Sequence, residues 1–130
     1  MGISLNAFSV LTQLSNELDD SSVISLGNPF IDEKELIKSK IHINYVKEIK
    51  KERKIDQSRY LFANVLGVRD FKILDISSEE EPDYIADLNH LDYIREFPNQ
   101  FDFVLDLGTQ EHIFNNNNFL ENVFKLLKQG

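Results

Sequence analysis

Residues 102–114 read DFVLDLGTQEHIF and change character halfway. The first part is apolar enough for a buried strand. The second brings Gly108, Thr109, Glu111 and His112, and a run of four asparagines, Asn115–Asn118, follows. Open α/β sheets bind ligands in the crevice outside the carboxyl ends of their strands. A strand that delivers a glycine, a hydroxyl, a carboxylate and an imidazole to one corner fits that arrangement.

Working outward from this corner, other segments alternate between the two periods. Val10, Leu11, Leu14 and Leu18 recur at helical spacing within residues 7–18, and Asp19-Asp20-Ser21-Ser22 breaks that helix. VISL (23–26) is a short strand closed by Gly27-Asn28-Pro29. Residues 30–56 are charged and weakly patterned, an insertion or helical segment. A helix follows over 57–66, with Asp56 as its expected N-cap and Gly67 as its stop. FKILDI (71–76) and DYIADL (83–88) are the second and third strands, and FDFVLDL (101–107) is the fourth. Residues 90–97 are expected to form a short helix. The last helix carries Phe119, Leu120, Val123, Phe124, Leu126 and Leu127 on one wide apolar face. Strands separated by helices predict a three-layer Rossmann-like α/β fold with a mostly parallel sheet, in a single domain over 1–130. Gly27, Asp75, Asp87 and Gly108 then fall at or near strand ends and are expected to converge.

Composition narrows the chemistry. There are no cysteines, so disulfides, thiolate catalysis and cysteine-ligated metals are excluded. The net charge of −8 argues against a nucleic-acid partner. The basic run KEIKKERK (47–54) reads as a solvated helix face with internal ion pairs. No apolar run reaches the ~20 residues of a membrane span, and no secretory signal opens the chain. A cytoplasmic protein with no membrane partner is the expectation. His42 and His90 show no ligand spacing, so no metal site is expected.

The order SLG (25–27), LDIS (74–77), ADLN (86–89), LDLGTQEHIF (105–114) and LLKQG (126–130) resembles the class I S-adenosylmethionine-dependent methyltransferases. The likeness is closest to a branch whose first motif lacks the usual glycine triplet. It implies a strand order of 3-2-1-4, S-adenosylmethionine as cofactor, and a small-molecule or sugar-like acceptor. It implies that Gly27 admits the cofactor backbone-on and that Asp75 accepts hydrogen bonds from the ribose diol. Asp87 and the Leu88 backbone would hold the adenine, and Gly108 and Thr109 would lie under the methionine end. Glu111 and His112 would face the acceptor. A general-base role for His112 is the less favoured reading, because adjacent side chains diverge and Glu111 makes a poor partner for it.

The chain also departs from the family pattern. Ser25 stands where relatives carry an acidic residue, and Pro29 replaces the next glycine, removing an amide. The spacing from Gly27 to Asp75, 75 − 27 = 48 residues, weakens a dinucleotide reading, which wants about 20. Relatives continue past LKQG with strands that cover the fourth. Either the chain is a fragment, or a homo-oligomer or partner segment covers the strand-four edge. These departures keep an alternative open: an inactive methyltransferase-like binding or assembly module.

Overall fold

The computed structural model describes residues 2–91 and 100–129. The expected helix at 90–97 falls largely outside the described residues. In chain order the elements are β1 (Gly2–Ile3), α1 (Leu5–Gln13), α2 (Ser15–Leu18), β2 (Ser22–Leu26), β3 (Phe30–Ile31), α3 (Glu33–Lys38) and α4 (Ile43–Lys51). They continue with α5 (Gln57–Tyr60), β4 (Asp70–Asp75), β5 (Tyr84–Ile85), β6 (Phe103–Asp106) and α6 (Asn116–Leu126). The chain forms two compact units, Met1–Ser21 with Pro29–Phe71 and Ser22–Asn28 with Lys72–Gly130.

The first unit is mostly helical, with β1 and β3 paired in parallel. Its helix starts are capped by short polar side chains. Ser4 Oγ accepts from the Ala7 amide, and Asp32 accepts from Lys34 and Glu35. Of the expected stripe of Val10, Leu11, Leu14 and Leu18, only Leu11 and Leu18 are buried. The helix breaks at Leu14, so the core takes Phe8, Leu11 and Leu18, while Val10 and Leu14 stay exposed. Asp56 does not cap α5 with its side chain; its carboxylate pairs with Arg53 at 2.6 Å. The helix widens into a π turn over Leu61–Val65 and stops at Gly67, whose φ of 69° is left-handed. The basic run has one of the internal ion pairs its pattern indicated, Lys51 to Glu48 at 2.7 Å, while Lys50 pairs outside the run with Glu33 of α3.

The second unit is built on a four-stranded sheet in the order β5-β4-β2-β6, which in chain order of its strands is 3-2-1-4. β2 pairs with β6 in parallel from Val23↔Phe103 to Leu26↔Asp106, and β4 with β5 at Leu74↔Tyr84 and Asp75↔Ile85. This is an α/β protein with a parallel, Rossmann-like sheet layout. Ile24, Leu26, Leu74, Ala86, Leu88, Phe101, Phe119 and Leu126 form the core of this unit. The third strand is shorter than 83–88, because Asp87 turns the chain. The apolar face of α6 is narrower than expected: Phe119 and Leu126 are buried, but Leu120 and Phe124 are exposed. Leu127 lies beyond the helix and bridges to Phe101.

At the amino end of the sheet one carboxylate holds three segments. Asp102 Oδ2 accepts from the Ser22 amide at 2.8 Å and its hydroxyl at 3.0 Å, while Oδ1 accepts from Lys128 at 3.1 Å. The Ser22 amide, and after it Lys128, hold the Asp102 carboxyl below its ordinary range. A depressed folded-state pKa stabilises above the unfolded value of about 3.9 and loses that contribution as pH falls through the folded value. Asp102→Asn should therefore flatten the acid limb of stability. Thermal melts from neutral pH to below 3.9 should show wild type losing more of its melting temperature than the variant.

Candidate functional site at the strand ends

In the second unit the parallel strands all finish at one rim, so the loops that follow them meet there. Gly27 leaves β2 at φ 84°, a conformation glycine adopts without Cβ strain, with its N–H bonded to the Leu74 carbonyl at 2.7 Å. Ser25, fully buried, donates its hydroxyl to the Gly27 carbonyl at 2.8 Å. A serine here closes the turn upon itself, where an acid would need an external donor. Thr109 donates its hydroxyl to the Leu26 carbonyl at 2.7 Å, joining the loop after β6 to the end of β2.

Asp106 was not singled out from sequence, yet it shapes this corner. Its carboxylate accepts from the amides of Gly108 (3.0 Å), Thr109 (2.7 Å) and Gln110 (3.2 Å). Those bonds start the 3₁₀ turn Gln110–His112 and hold Gly108 at φ 133°. Glu111 and His112 emerge from that turn highly exposed. Their side chains do not diverge: Glu111 Oε1 lies 3.4 Å from His112 Nε2.

Asp75 ends β4. Its Oδ1 accepts from the Ser77 amide at 3.2 Å, and Oδ2 has no hydrogen bond among the described residues. Glu80 stands close enough to feel it. Burial, and then the Asp75 charge, push the Glu80 carboxyl above its ordinary range. Asp87 is turned toward its own loop: Oδ1 accepts from both the amide and the side chain of Asn89 at 2.9 Å. The Asn89 amide chiefly lowers the Asp87 carboxyl, which stays ionised at neutral pH. This is turn chemistry, and it leaves Oδ2 facing His90 at 3.6 Å.

The asparagine run finds its explanation here. Asn115 caps α6 by accepting from the Asn118 amide at 3.1 Å. Asn118 donates to the Asn89 carbonyl at 2.6 Å, and Asn89 Oδ1 accepts the amides of Phe114 and Asn115. Asn122, fully buried, donates to the carbonyls of Leu88 (3.0 Å) and His90 (2.8 Å). Helix α6 is thereby stapled to the loop after β5. Only the amide-rich composition near 115–118 hinted at this; the partners Asn89 and Asn122 carried no signal.

Three features of the rim could serve a ligand. Gly27 and Gly108 hold positive-φ backbone, and one Asp75 oxygen has no hydrogen bond among the described residues. The Leu88 amide has no acceptor among the described residues. The adjoining acid Glu80 and the inward turn of Asp87 narrow which contacts can form. No group of three or more acids or histidines among the described residues could hold a metal ion. A cavity of about 420 Å³ lies elsewhere, between α1 and Lys38–Lys40 of the first unit, and no rim residue lines it. Comparison with models of known protein families, with curated proteins and with solved structures finds no match to this chain.

The staple is testable apart from any ligand. Asn122→Leu strands the buried Leu88 carbonyl and removes the bond to the His90 carbonyl, a loss of about 1–3 kcal/mol. Denaturant unfolding should report it, and hydrogen exchange should show the amides of Asn89 and His90 opening faster than in wild type.

Proposed function

We propose that the second unit binds S-adenosylmethionine at the strand-end rim and transfers its methyl group to a small-molecule or sugar-like acceptor. The observation that carries this reading is the convergence, in one unit, of Gly27, Asp75, Leu88, Gly108 and Thr109 at the carboxyl ends of four adjacent strands. The resemblance of the five ordered motifs supports the same assignment.

When bound, the cofactor would supply an electrophilic sulfonium methyl for an in-line displacement by the acceptor's nucleophile, with a neutral thioether as leaving group. The chain's part is alignment and exclusion of water. The free oxygen of Asp75 would accept from the ribose hydroxyls, the Leu88 amide would donate to the adenine, and the turn at Gly27 would let the ligand approach the backbone. Asp106 fixes the loop that carries Gly108 and Thr109, and the same turn projects Glu111 and His112 toward the acceptor side. Exposure of both side chains favours substrate positioning over proton transfer. Engagement of Asp87 by Asn89 favours a second reading, binding without turnover.

Two variants test these roles. Asp75→Ala removes a charged hydrogen-bond acceptor worth about 1.5–3 kcal/mol, so S-adenosylhomocysteine should bind at least about tenfold more weakly by calorimetry. An unchanged dissociation constant would remove the assignment. His112→Ala should lower turnover by less than about tenfold and leave cofactor affinity intact; a general base would cost about 10²–10⁴-fold and take the neutral limb of the pH–rate profile with it.

A further inference from the structure

The cavity of the first unit takes no part in the rim. Its volume of about 420 Å³ falls within the roughly 300–1,000 Å³ of small-molecule sites. One wall is a face of α1, and the other is the segment 38–40 that ends α3 and follows it. Both walls are fixed by bonds of their own. Glu35 Oε2 accepts the Leu5 amide at 2.9 Å and so joins α3 to the start of α1. Ser39 donates its amide (3.1 Å) and its hydroxyl (2.6 Å) to the Leu36 carbonyl, and its Oγ accepts the Ile41 amide at 3.3 Å.

The lining has an apolar part and a polar part. Leu5 and the buried Phe8 supply the apolar part. Two of the hydroxyls are spent: Thr12 donates to the Phe8 carbonyl at 2.7 Å, and Ser39 to Leu36. The side chains of Asn6, Ser9, Gln13 and Lys40 also line the cavity, and none has a hydrogen bond or ion pair among the described residues. Lys38 lies 3.7 Å from Glu35 Oε1, which offsets its charge. Lys40 is therefore the lining ammonium with no counter-charge among the described residues. One such cation matches a single negative charge, and a second negative charge on a ligand would meet Glu35.

We propose that this cavity binds a small organic monoanion, a carboxylate carried on an apolar body, independently of the methyl-transfer reading. The hydrocarbon lies against Leu5 and Phe8, where apolar surface leaves water. The carboxylate meets Lys40, an acceptor-only group against a donor-only one. The uncommitted Ser9 hydroxyl and the side-chain amides of Asn6 and Gln13 supply further donors along α1.

Two probes with the same hydrocarbon chain and different headgroup charge test the site. Octanoate and octan-1-ol are titrated into the protein at neutral pH and followed by backbone amide chemical shifts. The expected result is saturable shifts, largest within residues 5–13 and 38–40. Octanoate should bind at least about threefold more tightly than the alcohol, the scale of one exposed ion pair. Lys40→Gln, at an exposed position, should bring octanoate to the affinity of the alcohol. Ser9→Phe fills the cavity from an exposed helix position and should abolish binding of both probes while keeping the circular dichroism of wild type. Shifts that do not saturate, or that centre outside these segments, overturn the proposal. So does equal binding of the two probes, or an octanoate affinity that Lys40→Gln leaves unchanged; these arms decide the matter even where Ser9→Phe fails to fold.

Discussion

The parallel pairing of β2 with β6 is the constraint on which the second unit depends. From Val23↔Phe103 to Leu26↔Asp106 it joins segments about 80 residues apart and makes both strands finish at the same end. Everything with chemical character then follows from where a strand stops. Gly27 comes one residue after β2, Asp75 closes β4, and Gly108 comes two residues after β6. A parallel sheet cannot be joined by tight hairpins, so each loop at this rim is free to carry function while the crossovers run elsewhere.

The register is secured from both ends by side chains rather than by the ladder alone. Asp102 ties the starts of β2 and β6 to the tail after α6, and Thr109 ties the loop after β6 back to the end of β2. A slip of one residue would reverse the faces of Ile24 and Leu26 and break both ties. The asparagine staple does comparable work between α6 and the loop after β5. Polar groups here position loops and the apolar core supplies the driving force, a division that leaves Asp75 with an uncommitted oxygen at the rim.

The local conformations of the two carboxylates flanking the rim show how similar sequence contexts lead to different outcomes. Asp75 and Asp87 both follow an apolar run and precede a polar turn. Asp87 is followed two positions later by Asn89, whose amide and side chain both reach back to it. Among the described residues Asp75 accepts a hydrogen bond from the Ser77 amide alone. The difference lies in one side chain of the turn, which adds a second bond to the same Asp87 oxygen and leaves the other oxygen of each carboxylate without a hydrogen bond among the described residues.

Sequence by itself determined the α/β class, the position of each main strand and the rim glycines, because burial on both faces demands unbroken apolar runs and left-handed corners demand glycine. It also determined one ion pair inside the basic run, Lys51 with Glu48, whereas the partner of Lys50, Glu33, comes from another helix. Tertiary structure alone decided which apolar helix residues are core. Leu14 and Val10 were lost to a helix break, and Leu120 and Phe124 to the edge position of β6, and neither cause is local to the periodic pattern. It likewise decided the roles of Asp106, Asn89 and Asn122. Hydrogen-bond partnership depends on which loops a parallel sheet brings together, and no spacing along the chain encodes that.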